Sequence, residues 1–162
     1  GRRGRNIAAF KKRLLIHLSL LRRILMGLFK DSETFEKILG GFFRLMADTP
    51  VIADKLLASK LIVRFRYSDP DVVIVVDCSG DSVDVRPGDR ETKEIVDMSM
   101  SADIAHKFWF GKVNLMAALT RKQMIAKGPI PKILKLLPAI KPSYAMYPKY
   151  LEENGYAEYN IY

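Results

Sequence analysis

The sequence predicts an α+β fold: a five-stranded, mostly antiparallel sheet packed by helices, with an N-terminal amphipathic helical extension. Three observations carry that prediction. Five segments between Leu61 and Lys127 have the pattern or composition of strands. After Met100 the apolar period changes from two to that of a helix. The first 30 residues hold nine of the 27 Lys and Arg and no Asp or Glu.

Leu61, Val63, Phe65 and Tyr67 alternate with Ile62, Arg64, Arg66 and Ser68, as in a half-buried strand. Asp69-Pro70 turns the chain. Val72 to Val76 is continuously apolar and wholly β-branched, the composition of a strand covered on both faces. Val83 and Val85 alternate with Asp84 and Arg86 up to the Pro87-Gly88 turn. Ile95 to Met100 gives a fourth strand, with Val96, Met98 and Met100 on one face. Such short connections favour an antiparallel meander. Gln123 to Lys127 supplies the fifth strand, closed by Gly128-Pro129.

Ser101 is placed to cap a helix over 102–110, with Asp103 in the first turn, where the helix dipole favours negative charge. Gly111 suits its C-terminus. Asn114 caps a second short helix carrying Leu115, Met116, Ala118 and Leu119, and an apolar helix runs from about Pro131 to Ile140. Upstream, Ser32 caps a helix to about Met46 whose apolar side is Phe35, Ile38, Leu39, Phe42, Phe43 and Met46. Its Gly40-Gly41 pair permits a bend or a close backbone approach. Thr49-Pro50 opens another short helix. Pro138, Pro142 and Pro148 are expected to break the C-terminal region into short pieces, with Tyr144, Met146, Tyr147 and Tyr150 as a lid or a wrapped tail.

The basic arm predicts a helix over about 6–29. Arg5, Lys11, Lys12, Arg22, Arg23 and Lys30 fall within an arc of about 120°, away from Ile7, Phe10, Leu14, Leu18, Leu21, Leu25 and Leu28, with Arg13 as the exception on the apolar side. A basic amphipathic helix of this kind can lie in an anionic membrane interface, with Lys11, Lys12, Arg22 and Arg23 as its contacts. Arg22-Arg23 interrupts any spanning segment, and no small-residue cleavage site follows Leu14 to Leu21. The other reading is that the arm packs on the domain or on a second copy, as a homo-oligomer or partner helix. Nucleic acid is disfavoured, because the arm's other face is Leu-rich and the sheet has no aromatic platform. Residues 1–4 carry no initiator Met, and whether they are native to the chain stays open at this point. From residue 31 onward basic and acidic groups number 18 each, so the arm accounts for the whole net charge of +9.

Catalytic chemistry is thin. His17 and His106 have no partner in the sequence, and with the single Cys78 they are too few for a zinc site, so neither metal nor cofactor is expected. Gly80-Asp81-Ser82 matches the nucleophile block of some lipases but falls at a hairpin turn and is read as a chance match. Walker A and dinucleotide fingerprints do not occur. One cysteine excludes an intrachain disulfide framework and fits a reducing, cytoplasmic setting, with the arm on a membrane surface. The expectation is therefore a non-catalytic protein.

Two sets of motifs carry a resemblance. Arg64-Phe65-Arg66-Tyr67-Ser68-Asp69-Pro70 and Val83-Asp84-Val85-Arg86-Pro87-Gly88 resemble the early strands of the sterol carrier protein 2 (SCP2) family. Met100-Ser101-Ala102-Asp103-Ile104, Gly111-Lys112, Met116-Ala117-Ala118-Leu119 and Ile125-Ala126-Lys127-Gly128 are similar to its later half. The resemblance covers roughly 60–150. It departs at Arg121, where the family commonly has Gly, and at Pro129, where it commonly has Asp.

Taken with the charge boundary at residue 30, the resemblance implies a division into an arm (1–30), a lipid-binding domain (31–150) and a tail (151–162). It also implies an apolar tunnel taking an acyl, isoprenoid or sterol-like ligand. The candidate lining from the strands is Phe65, Val75, Met98 and Met100. From the helices it is Ile104, Phe108, Trp109, Met116, Leu119, Ile133 and Leu137, with Tyr144 from the region beyond. The alternative, that these side chains fill a closed core in an interaction, scaffold or lipid-biosynthesis accessory protein, stays open at this point.

Overall fold

The alternation at Leu61–Tyr67 becomes β1 (Ile62–Ser68), the central strand of the sheet. The computed structural model describes residues 2–162, with the side chains of residues 2–6, Ile24 and Met26 outside the description. Arg5 of the expected basic stripe is thus among the side chains not described. The elements are α1 (Arg2–Met26), α2 (Ser32–Ala47), α3 (Pro50–Ser59), β1, β2 (Val72–Asp77), β3 (Asp84–Pro87), β4 (Val96–Ser101), α4 (Ala102–Trp109), α5 (Leu115–Thr120), β5 (Met124–Lys127), α6 (Ile130–Ile140) and α7 (Ser143–Glu153). A 3-10 turn at Ala157–Tyr159 follows.

The sheet order is β3-β2-β1-β4-β5. β1 to β3 form the expected meander, but β4 lies parallel to β1, with Phe65 beside Met98 and Tyr67 beside Met100. The all-antiparallel meander is therefore corrected at β4, while three of the four pairings remain antiparallel. To reach β1's far side from β3, residues 88–95 cross the sheet on the face away from the helices. Arg64 donates to the Thr92 carbonyl, Arg86 donates to Thr92 Oγ1 at 3.2 Å, and Asp89 Oδ1 accepts from the Thr92 N–H at 2.9 Å. This crossing buries the outer face of β2. Val75, in register with Arg64 and Arg86, is fully buried there.

The inner face of the sheet presents Val63, Phe65 and Tyr67 from β1, Ile74 and Val76 from β2, Met98 and Met100 from β4, and Met124 from β5. α2 packs over it, burying Phe35, Ile38, Leu39, Phe42, Phe43 and Met46, the stripe expected from sequence. Its cap is Asp31, whose carboxylate accepts from the Thr34 N–H at 2.7 Å, one residue before the expected Ser32. Ser101 and Asn114 cap α4 and α5 as expected, accepting from the Ile104 and Ala117 N–H groups. Gly41 is the close approach its pair promised, since a Cβ there would collide with the Tyr150 hydroxyl.

The arm's helix ends earlier than expected. Gly27 takes φ +78°, a left-handed conformation open to glycine, and the chain leaves the helix axis there. The Leu28 N–H then donates to Asp103 Oδ1 at 2.9 Å. Phe29 is buried, stacked on Tyr159 at 5.0 Å and edge-on to Phe35 at 4.6 Å. Leu28, Phe29 and Lys30 therefore belong to the body rather than to the arm's stripes, and Lys30 faces Glu158 at 3.9 Å.

Pro142 separates α6 from α7 as expected, but Pro138 and Pro148 do not break their helices. Pro138 lies inside α6 and Pro148 inside α7, each of 11 residues. An internal proline forfeits one backbone hydrogen bond, and in α7 the burial of Tyr147, Tyr150 and Leu151 holds the helix across that gap. The boundary at 150 falls within α7, and Leu151 and Tyr159 of the expected tail are buried in the core.

Candidate functional site

A cavity of about 110 Å³ lies between the inner face of the sheet and the helices. Its floor is Val63, Phe65, Val76, Met98, Met100 and Met124. Phe43, Met46, Phe108 and Trp109 form walls, and Ile133, Leu136, Leu137 and Ile140 of α6 form the roof. Tyr67, Cys78 and Trp109 are the lining residues whose side chains carry a polar group, and the rest of the lining is apolar. Burial pushes the Cys78 thiol up to about 11, so it stays protonated at neutral pH.

Period-two and helical stripes put the floor, walls and roof together. Phe65, Met98, Met100, Phe108, Trp109, Ile133 and Leu137 all line the cavity. Five expected residues do not. Val75 points to the opposite face, beneath the 88–95 crossing, and Val76 takes its place. Met116 is 53% exposed on α5. Ile104 and Leu119 are partly buried against the core outside the lining. Tyr144 stands behind the wall, with its ring centroid 5.7 Å from Phe108 and 6.4 Å from Trp109, so α6 rather than the tyrosines covers the site. Thirteen lining residues were not among those expected, Phe43, Met46, Val63, Val76, Met124 and Leu136 among them. Val63 was within reach, being two residues before Phe65 on the same strand face.

Volume sets what the cavity can hold. An apolar cavity of roughly 150 Å³ stays dry and accepts benzene, so about 110 Å³ holds only a short apolar segment. A longer guest requires its walls to move. α6 is the least committed of them: among its residues only Ala139 is buried, and Ile133, Leu134, Leu136, Leu137 and Ile140 are half-buried.

The buried polar groups are held elsewhere. His106 accepts the Tyr147 hydroxyl hydrogen at Nδ1 (2.7 Å) and donates from Nε2 to the Tyr159 carbonyl (2.8 Å). Asp103-Ile104-Ala105-His106 does supply the downstream Asp-x-x-His that a lipase-like Gly80-Asp81-Ser82 block requires. Both nitrogens of His106 are committed, however; Asp103 holds the Leu28 N–H, and Ser82 is exposed while His106 is fully buried. These residues do not assemble into a relay. On the outer face of the sheet, Arg64 pairs with Glu94 at 2.9 Å and Arg66 with Asp97. Among the described residues, no group of three or more His, Cys, Asp or Glu stands where it could hold a metal ion.

On α1, Lys11, Lys12, Arg22 and Arg23 are exposed, and so is the apolar side: Ile7, Phe10, Leu14, Leu18 and Leu21 are at least half exposed and Leu25 is 80% exposed. Among the described residues, no helix is long and apolar enough to cross a membrane.

In structure, the chain is similar to sterol carrier protein 2 from Yarrowia lipolytica in its apo form. The TM-score is 0.50 and the identity 16%, over 70% of this chain and 87% of that one. It is also similar to the sterol carrier protein domain 2 of Helicoverpa armigera, with a TM-score of 0.55 and 16% identity, over 67% of this chain and 89% of that one. In sequence, no family model and no curated protein matches. The chain has the SCP2 fold, as its motifs implied.

Proposed function

We propose that the protein is a non-catalytic lipid carrier that takes an acyl, isoprenoid or sterol-like chain into the cavity beneath α6, and that its basic arm brings it to anionic membranes. The observation that carries the reading is the cavity itself, an internal space of about 110 Å³ whose floor, walls and roof are apolar. The fold it shares with two proteins named sterol carriers supports the same reading.

The energetics are adequate. Each methylene transferred from water contributes roughly 0.8 kcal/mol, so a dozen carbons, admitted by movement of α6, would gain about 10 kcal/mol before the costs of ordering the chain and opening the wall. A neutral lining sets no requirement for a charged head group inside, which suits apolar guests of several classes. Met46, Met98, Met100 and Met124 add adaptable walls.

The arm has its own support. Its apolar side is exposed and its basic side is free of acidic residues, the arrangement of a helix that lies in a membrane interface. The same exposed apolar side favours a second reading, an SCP2-like scaffold whose arm is a partner or oligomer helix.

Native mass spectrometry of gently purified protein, followed by solvent extraction of what it carries, separates the two. The carrier reading requires a lipid mass adduct, and a lipid-free species whose mass rises with concentration supports the scaffold.

A further inference from the structure

The even balance of charge after residue 31 conceals a strong internal polarity. Residues 104–151 contain nine Lys and Arg and no Asp or Glu, and all 18 acidic residues lie in 31–103 and 152–162. All nine of these basic residues are exposed. Among the described residues only Lys149 of the nine forms an ion pair, with Glu153. By contrast Arg64, Arg66, Arg86 and Arg90, in the acidic part, are all paired.

This second basic region borders the cavity. α6 roofs it through Ile133, Leu136, Leu137 and Ile140, and Lys132 and Lys135 of the same helix are exposed. α5 also reaches the cavity, through Leu115, and leads into exposed Arg121 and Lys122. Lys141 follows the end of α6. Apolar side chains are exposed or half-exposed among these charges, with Met116, Pro131 and Pro138 exposed and Ile130 and Leu134 half-buried.

We propose that α6, with the α5–β5 turn beside it, is a docking face for an anionic phospholipid bilayer, separate from the arm, and that it sets the mouth of the cavity against the membrane. Three arguments favour a bilayer. Unpaired cations lose little on meeting anionic head groups, and their attraction acts over about a Debye length, roughly 8 Å at physiological salt. Interleaved aliphatic side chains can enter the head-group boundary. Residues 111–141 contain no Phe, Tyr or Trp, so the face offers no platform on which nucleic-acid bases could stack. The acidic part of the body, residues 31–103 and 152–162, would in turn be repelled from the same surface, which orients α6 towards it. Exchange of cargo through this face rests on the carrier reading, whereas docking does not.

The test uses the full chain with one surface cysteine, because Cys78 is buried and escapes labelling. An environment-sensitive NBD fluorophore is attached at Pro138→Cys on α6, or at Glu91→Cys on the opposite face of the sheet. Vesicles of phosphatidylcholine alone are compared with an equimolar mixture with phosphatidylglycerol. The expected result is a blue shift and brightening at position 138 with the mixed vesicles only, and none at position 91. Adding Lys132→Glu and Lys135→Glu should raise the lipid concentration needed by at least about thirtyfold. In the protein with Lys11, Lys12, Arg22 and Arg23 changed to Glu, the shift at 138 should persist at saturating lipid. Silence at 138, equal responses at 138 and 91, or the same shift on adding a single-stranded oligonucleotide would overturn the proposal. A shift at 138 in a protein that takes up no lipid would leave docking standing and remove the carrier reading.

Discussion

Tyr147 donates its hydroxyl hydrogen to His106 Nδ1 at 2.7 Å across 41 residues of sequence. A carbonyl can only accept, so the 2.8 Å contact from Nε2 to the Tyr159 carbonyl places a proton on Nε2, and burial, which pulls the ring down to about 4, leaves Nδ1 free to accept at neutral pH. One imidazole thus ties α4 to α7 and to the C-terminal turn, with Phe29 edge-on against it at 5.2 Å. Tyr147→Phe removes the donor and strands Nδ1 in a fully buried site, so it should lower unfolding free energy by about 1–3 kcal/mol in urea titrations.

The same ring makes stability depend on pH. Burial pulls His106 down to about 4, outweighing the Tyr159 carbonyl and Asp103, which act in the other direction. The unfolded chain binds this proton near its ordinary 6.5, and the folded one refuses it until about 4. Stability from this group is therefore complete above about pH 6.5 and falls as pH drops towards 4, by up to about 3 kcal/mol. Melting temperatures measured across that window should slope downward with acid in the native chain and flatten in His106→Gln. Asp89, held below the ordinary carboxylate range first by the Thr92 hydroxyl, acts only at lower pH and does not blur the window.

Gly41→Ala should destabilise although alanine is the better helix former. The added Cβ would meet the Tyr150 hydroxyl, which donates to the Ile38 carbonyl at 3.0 Å. The propensity gain is about 0.8–1 kcal/mol, and overpacking costs about 1–3 kcal/mol. In a Tyr150→Phe background the cost should shrink, which a double-mutant cycle by calorimetry would read directly.

Charge reversal of Lys11, Lys12, Arg22 and Arg23 to Glu should weaken binding to anionic vesicles, each basic residue near the surface being worth about 1 kcal/mol. Co-sedimentation of the native chain should fall with added salt, while uptake of cargo by the body should be unchanged. Equal co-sedimentation of the native and reversed proteins would remove the arm from the account.

What could be read from sequence, and what could not, follows from the residues themselves. β1 and β4 were legible because polar side chains mark one face of each. β2 was not, since Val72 to Val76 is apolar at both phases of a period-two pattern, and only its register beside Arg64 and Phe65 turns Val75 outward and Val76 inward. The parallel return of β4 was hidden because the 88–95 crossing reads as an ordinary loop until Arg64, Arg86 and Asp89 are seen gathered on Thr92. Leu28 reads as the last residue of the arm's apolar stripe, and Phe29 as the end of its helix. Gly27, two residues earlier, was the available signal that the helix stops there. For the site, sequence supplied the apolar faces, but the placement of α6 as roof depends on packing between elements far apart in the chain.

The most direct measurement is titration of the delipidated protein with a fluorescent fatty-acyl probe, alongside Val76→Phe, which puts bulk into the cavity floor. The account predicts saturable one-to-one uptake, displaced by unlabelled fatty acid, and an affinity at least about tenfold weaker in Val76→Phe, the scale of one or two lost methylene contacts. A folded, delipidated native chain that takes up no probe, or a Val76→Phe protein that binds it as tightly, would contradict it.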